Sequence, residues 1–353
     1  MARLDRYIGG AVLSATVGVM FILVGLDALS ALIDEVGDIS ESYTFSAIST
    51  YVALTIPRRI HEFVPFAALI GALVGLGRLA SSSELVVART AGLSLGDLAF
   101  AVMKPAILVA VLGFGVGEYV APVAEQMAIS QRAMAQRSES TVTGRHGTWN
   151  RDGSTFIHVD AVQSGGLIFG VTLLTFDADR QLVRSLHAER GTFLRDHWLL
   201  ETVVTTRFEP LKTDTESQTV WRWDTEITPN LLVLEVVEPD SLPVTQLWPY
   251  AQYLSNQGLL SADIELAFWR KIMQPIAVAG LVLVAMSFIF GPLREGSMGA
   301  RIFAGVVVGV VFRISQDFFG PASLIFGLAP MLAALIPILI CWVAGLWLLN
   351  RRI

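Results

Sequence analysis

Cysteine is almost absent from this chain: its 353 residues include only Cys341, set within an apolar run. That excludes an internal disulfide framework and argues against a cysteine-rich metal site. Lysine is scarce as well. Lys104, Lys212 and Lys271 are the only lysines, and none follows a glycine. No Walker A loop can form around them, so the chain lacks this means of cradling ATP. The net charge of −6 is small and argues against a nucleic-acid partner. What the sequence does have is apolar mass. Hydrophobic residues make up 53% of it and the mean hydropathy is +0.59, above the roughly 45–50% apolar content of soluble domains.

That mass falls into six stretches long enough to span a bilayer, at about 8–33, 56–80, 96–122, 267–290, 302–324 and 329–349. Between the third and fourth, the composition changes. Alternation such as Phe156-Ile157-His158-Val159-Asp160-Ala161-Val162, broken by turn signals at Asn150-Arg151-Asp152-Gly153 and Asp177-Ala178-Asp179-Arg180, predicts an inserted all-β domain. Strands at roughly ten-residue spacing suggest a sandwich or jelly roll. The fold class is thus an α-helical membrane protein with three spans, a β domain and three more spans. Residues 1–136 hold spans 1–3, 137–255 the β domain and 256–353 spans 4–6.

Orientation follows from basic residues in short loops. Arg3 and Arg6, Arg78 and Arg89, Arg294 and Arg301, and Arg351 and Arg352 fall on one side. Asp34, Glu35, Asp38 and Glu41 fall on the other. Both termini are expected to be cytoplasmic, with the β domain on the opposite, periplasmic-type side. The first span lacks a small-residue cleavage site close behind a short apolar core and reads as an uncleaved anchor.

Two catalytic patterns fail on inspection. Gly92-Leu93-Ser94-Leu95-Gly96 spells the GxSxG of a nucleophile elbow, which requires an acid and a histidine later in the chain. Every later histidine (His146, His158, His187, His197) lies in the β domain, across a bilayer about 30 Å thick. Gly92 reads instead as a helix stop, and Ser94 as the cap of span 3 with Asp97 three residues on. His61-Glu62 opens an HExxH pattern, but Pro65 stands where the second histidine should be.

Residues 81–92 read as a short helix, with Ser81 and Glu84 as a capping box and Gly92 as its stop. Leu85, Ala88 and Gly92 share one stripe, and Glu84 and Arg89 point away from it. This is either a solvated loop or a docking helix for a cytoplasmic protein. Arginines also break the positive-inside pattern: Arg58 and Arg59 behind Pro57, Arg132 and Arg137 after span 3, with Arg270 and Lys271 opening span 4. They are either snorkelling anchors or a rim for an anionic amphiphile, since guanidinium groups bind phosphate bidentately. Within the spans stand Asp27, Glu118 and the pair Arg313 and Asp317; such residues usually pair or face a cavity. Phe63, Phe66, Phe312, Phe318 and Phe319 either pack helices or line a site for acyl chains.

These runs resemble a known family. Leu4-Asp5-Arg6-Tyr7-Ile8-Gly9, Ser83-Glu84-Leu85-Val86-Val87 with Gly92, and Gly117-Glu118-Tyr119-Val120-Ala121-Pro122 are similar to the LptF/LptG lipopolysaccharide export permeases. So are Ser287-Phe288-Ile289-Phe290-Gly291-Pro292-Leu293-Arg294 and Phe319-Gly320-Pro321, and the LptG branch is the nearer. The resemblance implies a bacterial inner-membrane permease that pairs with LptF. Two copies of the ATPase LptB would bind it from the cytoplasm, and its periplasmic jelly roll would work with LptC towards the LptA bridge. ATP and Mg would sit on LptB, with no cofactor in this chain. Residues 81–92 correspond to the family's coupling helix, with Glu84 at its acidic contact position. Arg58 and Phe63 match basic and apolar positions at the mouth of the lipid cavity. A departure is Ser30-Ala31-Leu32-Ile33-Asp34, where relatives can carry a lysine. The rival readings are LptF itself, an ion-coupled transporter, for which no repeat of the two halves is visible, and a membrane scaffold for the β domain.

Overall fold

A computed structural model describes residues 2–37, 39, 43–136, 148–163, 166–177, 179–194, 196–209, 212–225, 239–256, 261–291 and 297–350. Among them six helices are long and apolar enough to cross a membrane. Span 1 is α1 (Ala2–Val36) and span 2 is α2 (Phe45–Ser81). A short α3 (Glu84–Thr90) precedes span 3, which comprises α4 (Leu95–Gly115), a π turn (Val116–Val120) and α5 (Ala121–Gln136). After the strands come α6 (Val244–Asn256) and spans 4–6: α7 (Ala262–Phe290), α8 (Met298–Phe326) and α9 (Pro330–Asn350). All six expected spans are present, and most run past their apolar cores because polar turns continue the helices.

The chain divides into two compact units. The first joins Met1–Leu29, Ile56–Ala121 and Pro243–Ile353. Spans 2 and 4 form its centre, with 72% of the most apolar stretch of each buried, against 11% for span 1 and 22% for span 5. Close helix approach depends on small residues, as it does when lipid removes the hydrophobic drive between helices. Gly71 and Gly75 form a GxxxG step on α2, and a Cβ on Gly75 would stand 2.8 Å from Val12 Cα of α1. On α9, Gly345 lets the helix settle against Leu283 of α7, 3.1 Å from where its Cβ would be.

The second unit joins Ser30–Thr55 with Pro122–Leu242 and contains the strands. These are β1 (Thr148–Asp152), β2 (Thr155–Gln163), β3 (Leu167–Phe176), β4 (Leu182–Leu194), β5 (His197–Glu209) and β6 (Lys212–Trp223). The described strands make one antiparallel sheet in the order β1-β2-β3-β4-β5-β6. The all-β insertion is as expected. The crossing strand order that a jelly roll adds is not found among the described strands, and a crease does its work. Pairing skips Asp160 and Gly170 between β2 and β3, Glu189 between β4 and its neighbours, and Thr202 between β5 and its neighbours. Gly170 and Thr202 have φ of 61° and 54° there.

Across this line the buried side changes parity. Ile157 and Val159 point inward before it and Val162 after it, while on β3 Val171 and Leu173 give way to Ile168. An aligned set of irregularities interrupts β2, β3, β4 and β5 at one level, as bulges do. The sheet therefore folds over itself around Trp198, Leu186 and Leu200. The fold brings Arg184 of β4 over the Trp221 ring of β6 at 5.9 Å, and lets Thr225 donate to the Asp152 carboxylate at 2.8 Å.

Candidate functional site: the α3 handle and the charged pairs of the spans

The stretch between spans 2 and 3 is tightly punctuated. Ser81 is still in α2, so the capping box expected from Ser81 and Glu84 does not form. Ser83 occupies the cap position instead, in the left-handed region at φ 63° and without a side-chain bond to the helix. The reason is that α2 runs on past its apolar core and uses up Ser81. The other end follows the expectation. Gly92 stops α3 at φ 96°, and Ser94 and Asp97 form a reciprocal capping box on α4.

Leu85 and Ala88 are 4% and 5% exposed, and Leu85 joins the core of the helical unit. They seat α3 on its own bundle and are not offered to a partner, which corrects their expected place in a docking surface. The exposed face is Glu84, Val86, Val87 and Arg89, with Gly92 also exposed. The sequence stripe of Leu85, Ala88 and Gly92 leaves out the two exposed valines, because which face of a short helix is buried depends on what it packs against. Glu84 is held by hydroxyls: Ser82 donates to it at 2.7 Å and Tyr7 of α1 donates as well. These bonds, with Ser82 the larger influence, keep its carboxyl below the ordinary glutamate value. Arg301 at the start of α8 is 3% exposed and donates to the Gly77 carbonyl at 2.7 Å. It thereby caps the last turns of α2.

The cations expected to form a phosphate rim are engaged within the chain. Arg58 pairs with Glu62 at 2.7 Å. Arg59 is buried and pairs with Asp27 of α1. In the second unit Arg132 pairs with Glu35 at 3.0 Å and lies over the Tyr51 ring at 5.2 Å, and Tyr43 donates to the same Glu35 at 2.9 Å. Arg270 donates to the Gln316 carbonyl, and Lys271 is buried. Arg137 lies outside the described residues. Phe63 and Phe66 are half-buried and meet edge to face at 6.2 Å, while Phe312 is buried. On α8 Phe318 and the Arg313–Asp317 pair at 3.1 Å stay exposed, in a face that also shows Phe303, Val307, Val311 and Ile314.

Sequence reasoning missed the partners. The sequence links neither Asp27 to Arg59 nor Glu35, Tyr43 and Tyr51 to Arg132. Tyr7 was available as a signal, since it lies in the Leu4-Asp5-Arg6-Tyr7 run. His61 has a structural use that the broken HExxH pattern hid. Its Nδ1 donates to the Gly113 carbonyl at 3.0 Å, just before the π turn, and its own carbonyl accepts from Gln274 of α7 at 2.7 Å. Gly117 has no side chain because the His61 ring occupies that space. In the same turn Glu118, 8% exposed, accepts from the backbone N–H of Val244 at 2.7 Å and of Thr245 at 3.3 Å. The β-unit histidines pair locally, His158 with Asp160, His187 with Thr172 and His197 with Asp196. Among the described residues no group of three or more potential ligands could hold a metal.

Among the described residues, this arrangement is one of paired charges and half-buried aromatic rings. Comparison with known proteins gives it a family. The profile described as lipopolysaccharide export system permease LptF/LptG spans residues 6–351. The chain belongs to the LptF/LptG permease family. It is 36% identical over 353 residues to the lipopolysaccharide export system permease protein LptG of Escherichia coli (strain K12), covering 99% of this chain and 98% of that one. The protein of the same description from Haemophilus influenzae is 36% identical over 355 residues, with the same coverage. This LptF/LptG-family chain is accordingly a multi-pass membrane permease subunit, with its β domain inserted between spans 3 and 4.

Proposed function

We propose that this permease carries lipopolysaccharide out of the outer leaflet of a bacterial inner membrane, and that a separate ATPase drives it. The observation that carries the reading is the full-length likeness to permeases described as exporting lipopolysaccharide. The geometry adds support. Spans 1 and 5 leave most of their apolar surface unburied, and span 5 shows a charged pair within that surface. A partner permease of the LptF type would cover these faces and enclose a lipid cavity between the two chains. Phe63, Phe66, Phe312 and Phe318 would lie against acyl chains.

The headgroup phosphates would meet Arg58, Arg59, Arg132, Arg137 and Arg313. For the four of these that the structure describes, binding means competing with a carboxylate already in place. An incoming phosphate takes over guanidinium bonds from Glu62, Asp27, Glu35 or Asp317, so entry and release involve exchange of ion pairs rather than capture by bare cations. Exchange keeps the lipid bound loosely enough to leave again.

ATP and Mg would be held by two LptB subunits on the cytoplasmic side. Their closure would push on the exposed face of α3, with Glu84 and Arg89 as its charges and Gly92 as its stop. Leu85 and Ala88 would pass the push into the bundle. The cavity would then narrow and the lipid would move to the periplasmic β domain, towards LptC and the LptA bridge. Glu84→Ala should lower lipopolysaccharide release in the reconstituted complex at least about five-fold, the scale of an ordinary coupling energy. Normal assembly and normal release with that change would remove α3 from the drive.

A further inference from the structure

Span 3 contains a buried carboxylate for which the transport scheme above gives no role. Glu118 stands in the π turn Val116–Val120, 8% exposed. An ionised side chain at that depth is strongly unfavourable unless it has partners. Its partners are the first two backbone N–H groups of α6, Val244 at 2.7 Å and Thr245 at 3.3 Å. The opening N–H groups of a helix have no acceptor within it, and they form the positive end of its dipole. No side chain of α6's own leading turn is needed as a cap, because the cap comes from a helix 126 residues away in sequence.

The position gives this bond a use. The two three-span halves of the chain are joined covalently only through the β insertion, and α6 is the segment by which the insertion returns to span 4. Pro243 precedes it, and Trp248 of α6 stacks on Phe268 of α7 at 4.9 Å. The helix is thus held at its leading end by span 3 and along its side by span 4. Span 3 starts two residues after Leu93, directly beyond α3, and runs about 35 Å from Leu95 to Glu118 at 1.5 Å per residue. A displacement of α3 therefore reaches Glu118 along one helical rod. The π turn fixes where the carboxylate points, and such turns recur at functional sites. Apolar contacts between spans 3 and 4 can slide past one another. A buried carboxylate on two amides has one good geometry and has to be carried along.

We infer that Glu118 is a positioning residue for transport: its carboxylate clasps the leading end of α6, so that a stroke entering at α3 moves the helix that leads into span 4 in step with span 3. This rests on the proposed transport function. The test uses the full permease complex with its ATPase, in phosphatidylethanolamine and phosphatidylglycerol liposomes loaded with lipopolysaccharide. Two quantities are read: lipid released per ATP hydrolysed, and amide hydrogen exchange in the peptide containing Val244 and Thr245.

Glu118→Ala should lower release per ATP by about five-fold or more and speed exchange in that peptide, while ATP hydrolysis stays within about two-fold of the parent. Glu118→Gln keeps the shape and one carbonyl acceptor, and should fall between the two; it carries the test if the alanine variant does not accumulate. Wild-type release per ATP with unchanged exchange would overturn the inference. So would equal losses of release and hydrolysis in an assembled complex, which would make the clasp merely structural. If the parent complex released no lipid at all, the transport reading would fail, and the exchange measurement would still decide the clasp.

Discussion

Glu84 illustrates how a single residue's state depends on groups both near and far in sequence, Ser82 two positions before it and Tyr7 on another helix. Its proposed value as a charged handle would depend on its staying ionised, and two hydroxyls favour that, Ser82 first and Tyr7 second. A carboxyl held below its ordinary value contributes fully above that value, and its contribution is lost as pH falls through the lowered one. Removing the larger donor should therefore raise the titration midpoint: Ser82→Ala should move Glu84 up towards the ordinary glutamate value, read by carbon-detected NMR of the labelled carboxyl. An unchanged midpoint would mean that the hydroxyl does not hold it. The arginines teach the same lesson. Arg59 looked like a free cation in sequence, yet Asp27 thirty-two positions earlier neutralises it. Residue type and depth could be read from the chain; the partner could not, because ion pairing depends on helix rotation and register.

At the scale of elements, legibility tracked the strength of the local signal. Six spans were visible because about 20 consecutive apolar residues have few other uses. The Ser94 and Asp97 cap was visible because its chemistry is local. The Ser81 cap was misplaced because nothing local says where a long helix stops, and α2 continued through it. The creased sheet was only half legible. Alternation around Phe156–Val162 announced strands, but the parity change at Asp160 needs the opposed Gly170 and Thr202 to be seen. Helix pairing yields a prediction of its own. Gly75→Leu should force α1 off α2, since the added side chain would meet Val12 backbone rather than a yielding side-chain tip. The variant should lose at least about 2 kcal/mol of stability, as overpacked cores commonly do, seen as a lower midpoint of thermal unfolding in detergent. A midpoint equal to the parent's would show that α1 is not tightly seated there.

For the whole molecule, the architecture separates three tasks. On the proposed reading a short helix with an exposed charged face would receive force, a bundle with two thinly buried spans would offer surface for a second permease, and the β sheet inserted between spans 3 and 4 would take up the lipid. The family assignment was legible from a few runs because they sit where helices begin, break and end. The π turn and its Glu118 were within one of those runs, but the bond to α6 could not be inferred from a partner 126 residues on.

The central claim is tested most directly by reconstituting this chain with an LptF-type partner and an LptB-type ATPase in liposomes loaded with lipopolysaccharide, and following lipid transfer to a soluble β-domain acceptor. The account predicts transfer that requires ATP hydrolysis and this chain together. Transfer that proceeds equally without ATP, or no transfer from a complex that assembles and hydrolyses ATP, would contradict it.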